Sequence, residues 1–337
     1  MSKSIIDVKV LGFPWPTKDP FLFCAHHADA YPAGNDEMGP AVSLEGRNIG
    51  SDFSGKDGWS MYHGATVPGF PAHPHRGFET VTIVRSGLVD HSDSMGGAGR
   101  FGNGDVQWMT AGKGVQHAEM FPLLNNEKDN PFELFQIWLN LPKAGKLVEP
   151  YYGMLWSEDL PIYHTKDNQG KEVAVAIITG NINDLEGYTP PSDSWAAEKN
   201  NEIAIWTIKL SPGSSWDLPQ ASPGINRMLY FFKGDTLNID GQEIPPYHAI
   251  ELHADQKVRL ENGSGEAHLL MLQGRPINEP VAQYGPFVMN TQEEIQQAIQ
   301  DYQQTQFGGW PWPVADHVHP RVKDRFAKYP DGREETR

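Results

Sequence analysis

Two short motifs in this sequence have the residue types and spacing to hold a metal ion: His73-Pro-His75 and His117-Ala-Glu119. In an extended strand successive side chains point to opposite faces, so residues i and i+2 share one face. Each motif can therefore present two donors to the same side. Two such strands lying next to each other would converge three imidazole nitrogens and one carboxylate oxygen on a single point. That donor set suits Fe(II), and also Mn, Ni, Cu or Zn, with coordination positions left open for water, oxygen or a substrate. Pro74 cannot donate a ladder hydrogen bond, which places the first motif at a strand start or a sheet edge.

The elements that must position these residues read as strands. Of 337 residues, 34 are glycine and 27 are proline, spread along the chain rather than gathered in one block, as expected of short strands joined by tight turns. Runs rich in β-branched and aromatic residues occur at Glu79 to Arg85, Val106 to Met109, Leu134 to Leu141, Val173 to Ile178, Ile203 to Leu210, Met228 to Phe232 and Leu269 to Leu272. These runs predict an all-β protein. One helix is expected over about Thr291 to Gln304. There Thr291 and Glu294 have capping-box spacing, and Ile295, Ile299 and Tyr302 recur on one helical face. The tail beyond it shows no periodicity and is expected to wrap over the surface and fray at its end.

The two halves share a weak strand-turn-strand likeness. Glu79 to Gly87 followed by Gly104 to Met109 has a counterpart in Asn226 to Gly234 followed by Ile244 to Leu252, which suggests two copies of one barrel unit. At roughly 150 residues per domain the length agrees with two domains. The expected division is 1–150 for a metal-binding barrel, 151–290 for a second barrel and 291–337 for the helix and tail.

Composition excludes several alternatives. With 27 Lys and Arg against 43 Asp and Glu, the net charge of −16 argues against a nucleic-acid surface built on clustered cations. Cys24 is the single cysteine, so neither an internal disulfide nor a cysteine-based metal cluster can form. The N-terminal stretch lacks the apolar core of a secretory signal, and no run approaches the ~18 apolar residues of a membrane span. A cytoplasmic protein without membrane association is expected.

The segments HPHRGFETVTIV (73–84), GDVQWMTAGKGVQHAEM (104–120) and GRPINEPVAQYGPFVMNTQEEIQQAI (274–299) together resemble the pirin family of bicupins. The resemblance implies two stacked cupin β-barrels with one metal, usually iron, in the N-terminal barrel. Its ligands fall on His73, His75, His117 and Glu119, the residues strand parity also selects. In the wider cupin pattern the carboxylate lies in the first motif, where this chain has Glu79. By parity Glu79 shares the face of His73 and His75 unless a bulge intervenes at Gly77. Glu119 is the preferred ligand on the family pattern, with Glu79 placed behind the ligands to orient an imidazole N–H. The chain departs from the general cupin pattern by one extra residue between Glu79 and Gly87 and by Thr110 in place of proline. The corresponding C-terminal stretch, QASPGINRMLYFFK, has no histidine, so that barrel is expected to be metal-free, with His248, His253 and His268 structural or exposed.

The other histidines make weaker candidates. His26 and His27 are adjacent and so face opposite ways, His63 is isolated, and His317-Val-His319 lies in the Pro-rich tail. Met61, Trp108, Met120, Phe135 and Trp138 could line an apolar pocket, with Trp108 and Met120 favoured for lying inside the motif. The resemblance implies a dioxygenase that cleaves a flavonol such as quercetin with O₂ and loss of carbon monoxide, Glu119 serving as the base. A second reading is a non-enzymatic protein whose iron state tunes binding to a transcription factor or metabolic enzyme, the negative charge suiting a basic partner. A third is a carbohydrate isomerase or binding module, since fold alone does not fix function.

Overall fold

The computed structural model describes residues 3–337. Among them are twenty-six strands and one α-helix, with short 3₁₀ turns between. The apolar runs singled out in the sequence fall in strands, except for the end residues Leu141 and Ile203, which lie one position outside. No helix among the described residues is long and apolar enough to cross a membrane.

The chain divides into two compact units, one formed by the segment ending at Cys24 with Glu158–Asn278, the other by Ala25–Ser157 with Glu279–Arg337. Sequence patterning placed the N-terminal residues with the first barrel and set the helix and tail apart. Strand pairing explains the difference. Strand β1 (Ile5–Val10) pairs antiparallel with His248–His253, and Phe326–Lys328 adds to the other unit's sheet by pairing with Ala98–Gly102. Pairings over such sequence distances leave no local signal.

In the first unit a seven-stranded sheet runs in the order β1, His248–His253, Asn226–Lys233, Ala267–Gly274, Ala204–Leu210, Glu172–Thr179, Ile162–Lys166. A four-stranded sheet that includes Ser215–Leu218 and Val258–Asn262 faces it. Alternate residues of both, among them Trp206, Leu229, Phe231, Ile250, Leu218 and Leu260, form one buried core. The histidines here do not converge: His248 Nδ1 lies 3.0 Å from the Pro246 carbonyl, His253 is exposed, and His268 pairs with Glu266.

The second unit contains β2 (Phe21–Tyr31) from Ala25 onward, with β3 (Gly69–His75), β4 (Phe78–Ser86), β5 (Leu88–Asp93), β6 (Ala98–Gly102), β7 (Val106–Thr110), β8 (Val115–Met120), β9 (Asn130–Asn140) and β10 (Tyr151–Leu155). One sheet has the order β10, β7, β4, β9, β2. The other runs Glu334–Thr336, Phe326–Lys328, β6, β5, β8, β3 and leaves β3 at its edge. Helix α1 (Gln292–Thr305) begins at a complete capping box between Thr291 and Glu294, as the sequence predicts. The tail departs from expectation at its end, where Phe326–Lys328 and Glu334–Thr336 form a hairpin. Strands of three residues are too short to show a period.

Candidate metal centre

The site is built on β3 and β8, which pair antiparallel with His73 opposite His117. Directly opposed residues lie on the same face, and the period of two adds His75 and Glu119 to it. A register shift between Phe70 and His73 sets the histidines in that alignment. Among the described residues, His73, His75 and His117 form a group in which one ligand nitrogen of each lies within 4.8 Å of the others. The ring centroids of His73 and His117 are 4.5 Å apart, and those of His75 and His117 are 4.8 Å apart.

His75 and His117 are buried, while His73 keeps a partly exposed edge. Burial pushes the His73 imidazole down to about 4 and holds His75 and His117 well below the ordinary histidine range. All three are therefore neutral at pH 7 with lone pairs available. His73 Nδ1 lies 2.9 Å from the Pro71 carbonyl, an arrangement that fixes its tautomer and directs Nε2 inward. Both nitrogens of His117, and Nδ1 of His75, are buried without a hydrogen-bond partner. A buried polar atom left unsatisfied costs roughly 1–3 kcal/mol, so three in one cluster mark a place where a further group belongs. Three neutral imidazoles fit a divalent transition metal there.

Glu119 stands beside this group rather than within it, with Oε2 3.6 Å from His117 Nε2. Its oxygens are held by the facing sheet. Gln136 Nε2 on β9 donates to Oε2 at 2.9 Å, and the Thr82 hydroxyl on β4 lies 3.2 Å from Oε1. Burial pushes the Glu119 carboxyl up to about 7, against the hydrogen bonds from Thr82 and Gln136 that lower it.

Glu79 lies elsewhere. Gly77, at φ +88°, ends the run of parity between β3 and β4, and β4 belongs to the other sheet. There Thr82 faces Glu119, so Glu79, three positions away, points to the opposite side. Its Oε1 accepts from Trp108 Nε1 at 3.0 Å and from the Thr110 hydroxyl at 2.7 Å. This corrects two expectations: Glu79 is directed away from the imidazoles it was expected to orient, and Trp108 shares its outward face instead of lining a pocket. Met120 is corrected likewise. It alternates with Glu119 and packs outward with Met38 and Val67.

Sequence reasoning does not find Thr82 and Gln136 on the facing sheet, nor two residues on the face of the imidazoles. His91 on β5 lies opposite Glu119, and Asp93 opposite His117, so both face the same interior. Fully buried, His91 has Nε2 3.0 Å from Asp93 Oδ2 and stacks on Tyr152 at 4.9 Å. The alternation of His91 and Asp93 in a short strand was the available signal. Of the remaining histidines, His26 pairs with Glu133 at 2.9 Å, His27 is buried against Tyr62, and His63 Nδ1 lies 2.8 Å from the Gly50 carbonyl. His317 stacks on Trp312 and buried His319 reaches the His91 carbonyl at 2.9 Å.

The fold and site define a class: an all-β protein of two cupin domains, with a cluster of buried imidazoles in one of them. Residues 15–139 match the family described as Pirin and residues 205–308 match the Pirin C-terminal cupin domain. The chain belongs to the pirin family. It is 37% identical to Pirin of Homo sapiens over 254 residues, 73% of this chain and 80% of that protein. To a pirin-like protein of Solanum lycopersicum it is 37% identical over 238 residues, covering 70% and 75% of the two chains. Among solved structures, quercetin 2,3-dioxygenase from Acinetobacter baumannii aligns with a TM-score of 0.71 at 27% identity, covering 91% of this chain and 98% of that one.

Proposed function

We propose that the protein is a metal-dependent dioxygenase that uses O₂ to cleave a flavonol or related enediol-like aromatic, with Fe(II) as the native ion. The observation that carries this reading is the cluster of three neutral imidazoles in which both nitrogens of His117 and Nδ1 of His75 are buried without a hydrogen-bond partner. The likeness to a quercetin 2,3-dioxygenase structure supports the substrate class.

His73, His75 and His117 would hold the ion, with Glu119 as the fourth protein ligand. When bound, Fe(II) supplies an open coordination position for a deprotonated substrate oxygen and a redox-active centre for reaction with O₂. The chain's own contribution is proton handling. Glu119, on leaving the ion, would take the substrate proton, and burial of its side chain favours the neutral acid that results. A proton on Oε1 can be donated to Thr82 Oγ1, whose own hydrogen turns to Gln136 Oε1. Gln136 Nε2 meanwhile keeps its bond to Glu119 Oε2, so the protonated acid closes a ring of three hydrogen bonds.

The test is elemental analysis of purified protein together with aerobic and anaerobic quercetin turnover on one iron-loaded sample. Oxygen-dependent turnover that disappears in His75→Ala supports the reading. Stoichiometric iron without turnover would overturn the enzyme assignment and shift weight to a redox-responsive protein that binds other proteins.

A further inference from the structure

Residues 309–337 lie outside both matched family segments, yet they bond to residues next to or opposite those of the candidate metal site. The Ala315 carbonyl accepts from the Ala72 N–H at 2.8 Å, one residue before His73. Gln116, one residue before His117, donates from Nε2 to the Gly309 carbonyl at 3.2 Å. Trp312 Nε1 donates to the carbonyl of Asp93, opposite His117, at 2.8 Å. His319 Nε2 meets the carbonyl of His91, opposite Glu119.

Strand β3 needs such support. It is an edge strand, Pro71 and Pro74 give it no N–H to donate, and its register slips between Phe70 and His73. The slipped segment also contains the Pro71 carbonyl that orients His73. A free edge here would leave the Ala72 N–H unpaired and the orientation of His73 loosely set. Arg321 fastens the tail beyond Ala315 by donating to the Leu124 carbonyl at 2.6 Å and to Asn126 Oδ1 at 2.7 Å.

We propose that the tail from 309 to 325 is a positioning element of the metal centre, with the Ala315 carbonyl locking the β3 bulge so that His73 Nε2 faces the ion. Trp312 and Arg321 are its anchors on either side. The proposal rests on the metal-centre reading above.

The experiment uses the full chain and Co(II) as probe. In the double variant Trp312→Ala, Arg321→Ala, Co(II) affinity should fall about 10–100-fold, the range for groups that orient metal ligands. The visible Co(II) absorption should change, and the Ala72 amide should exchange faster with solvent. A purely structural role would lower the unfolding midpoint while leaving the affinity and spectrum of the folded protein as in wild type, and that result would overturn the proposal. Should the double variant not fold, Trp312→Phe, which removes the Nε1–H but keeps a ring against His317, decides on the same readouts. Wild-type protein that takes up no Co(II) would instead refute the metal centre itself, a failure distinct from that of the tail.

Discussion

Gln136 Nε2 donates to Glu119 Oε2 at 2.9 Å, joining the two sheets of the barrel that carries the imidazole cluster through a carboxylate on the same face as His117. The bond favours the ionised acid and so opposes burial. In Gln136→Leu that support is lost and the Glu119 carboxyl is raised relative to wild type. If Glu119 is the base, the ascending limb of the kcat/KM against pH profile moves to higher pH and turnover at pH 7 falls. An unshifted limb with reduced turnover would remove Glu119 from the proton-accepting role.

The two candidate carboxylates separate by substitution. Glu79 spends Oε1 on Trp108 and Thr110, and a glutamine carbonyl can accept both bonds, so Glu79→Gln should keep full metal occupancy at a cost of about 1 kcal/mol in stability. Glu119→Gln should lower occupancy. Metal analysis of both variants after identical loading distinguishes them, and the reverse pattern would transfer the ligand role to Glu79.

How far the site was legible follows from where period two applies. Within β3 and within β8 it places His73 with His75 and His117 with Glu119, and no tertiary knowledge is needed. It fails across Gly77, whose positive φ carries the chain from one sheet to the other, so parity counted from His75 does not reach Glu79. Applied to Met120, next to Glu119, the same rule would have excluded it from the interior. His91 enters the site through the pairing of β5 with β8, a contact no local pattern announces. The tail was unreadable because its ties are single bonds at isolated residues, such as those of Ala72 with Ala315 and of Trp312 with Asp93, which leave no periodic signature.

Arg100 and Asp90 form a buried bidentate pair, with bonds of 2.7 and 2.8 Å. The same guanidinium donates to the carbonyls of His319 and Lys323 in the tail. Arg100→Met should therefore destabilise by about 3–5 kcal/mol, since it strands a buried carboxylate. Arg100→Lys should recover only part of that, because an ammonium cannot reproduce the planar fork. Urea unfolding of the three proteins is the measurement. Equal stability of the lysine variant and wild type would show that charge alone suffices.

Acid sensitivity should arise in part from His27, which is buried against Tyr62 and Phe70. Burial, reinforced by the neighbouring His26, lowers it from 6.5 to about 4. A histidine depressed in the folded state contributes stability that is fully present above the unfolded value of 6.5 and is lost as pH falls toward 4, because the unfolded chain takes up the proton first. The full effect is roughly 3 kcal/mol. Asp29, raised by burial to about 6, acts with the opposite sign: its contribution is present at low pH and lost as pH rises through 6. The wild-type curve alone therefore mixes the two. The difference in unfolding free energy between wild type and His27→Phe, measured on chelator-treated protein from pH 7 to pH 4, isolates the histidine. Wild type should lose stability relative to the variant across that window. Parallel curves would mean that His27 is protonated in the folded protein or screened by water.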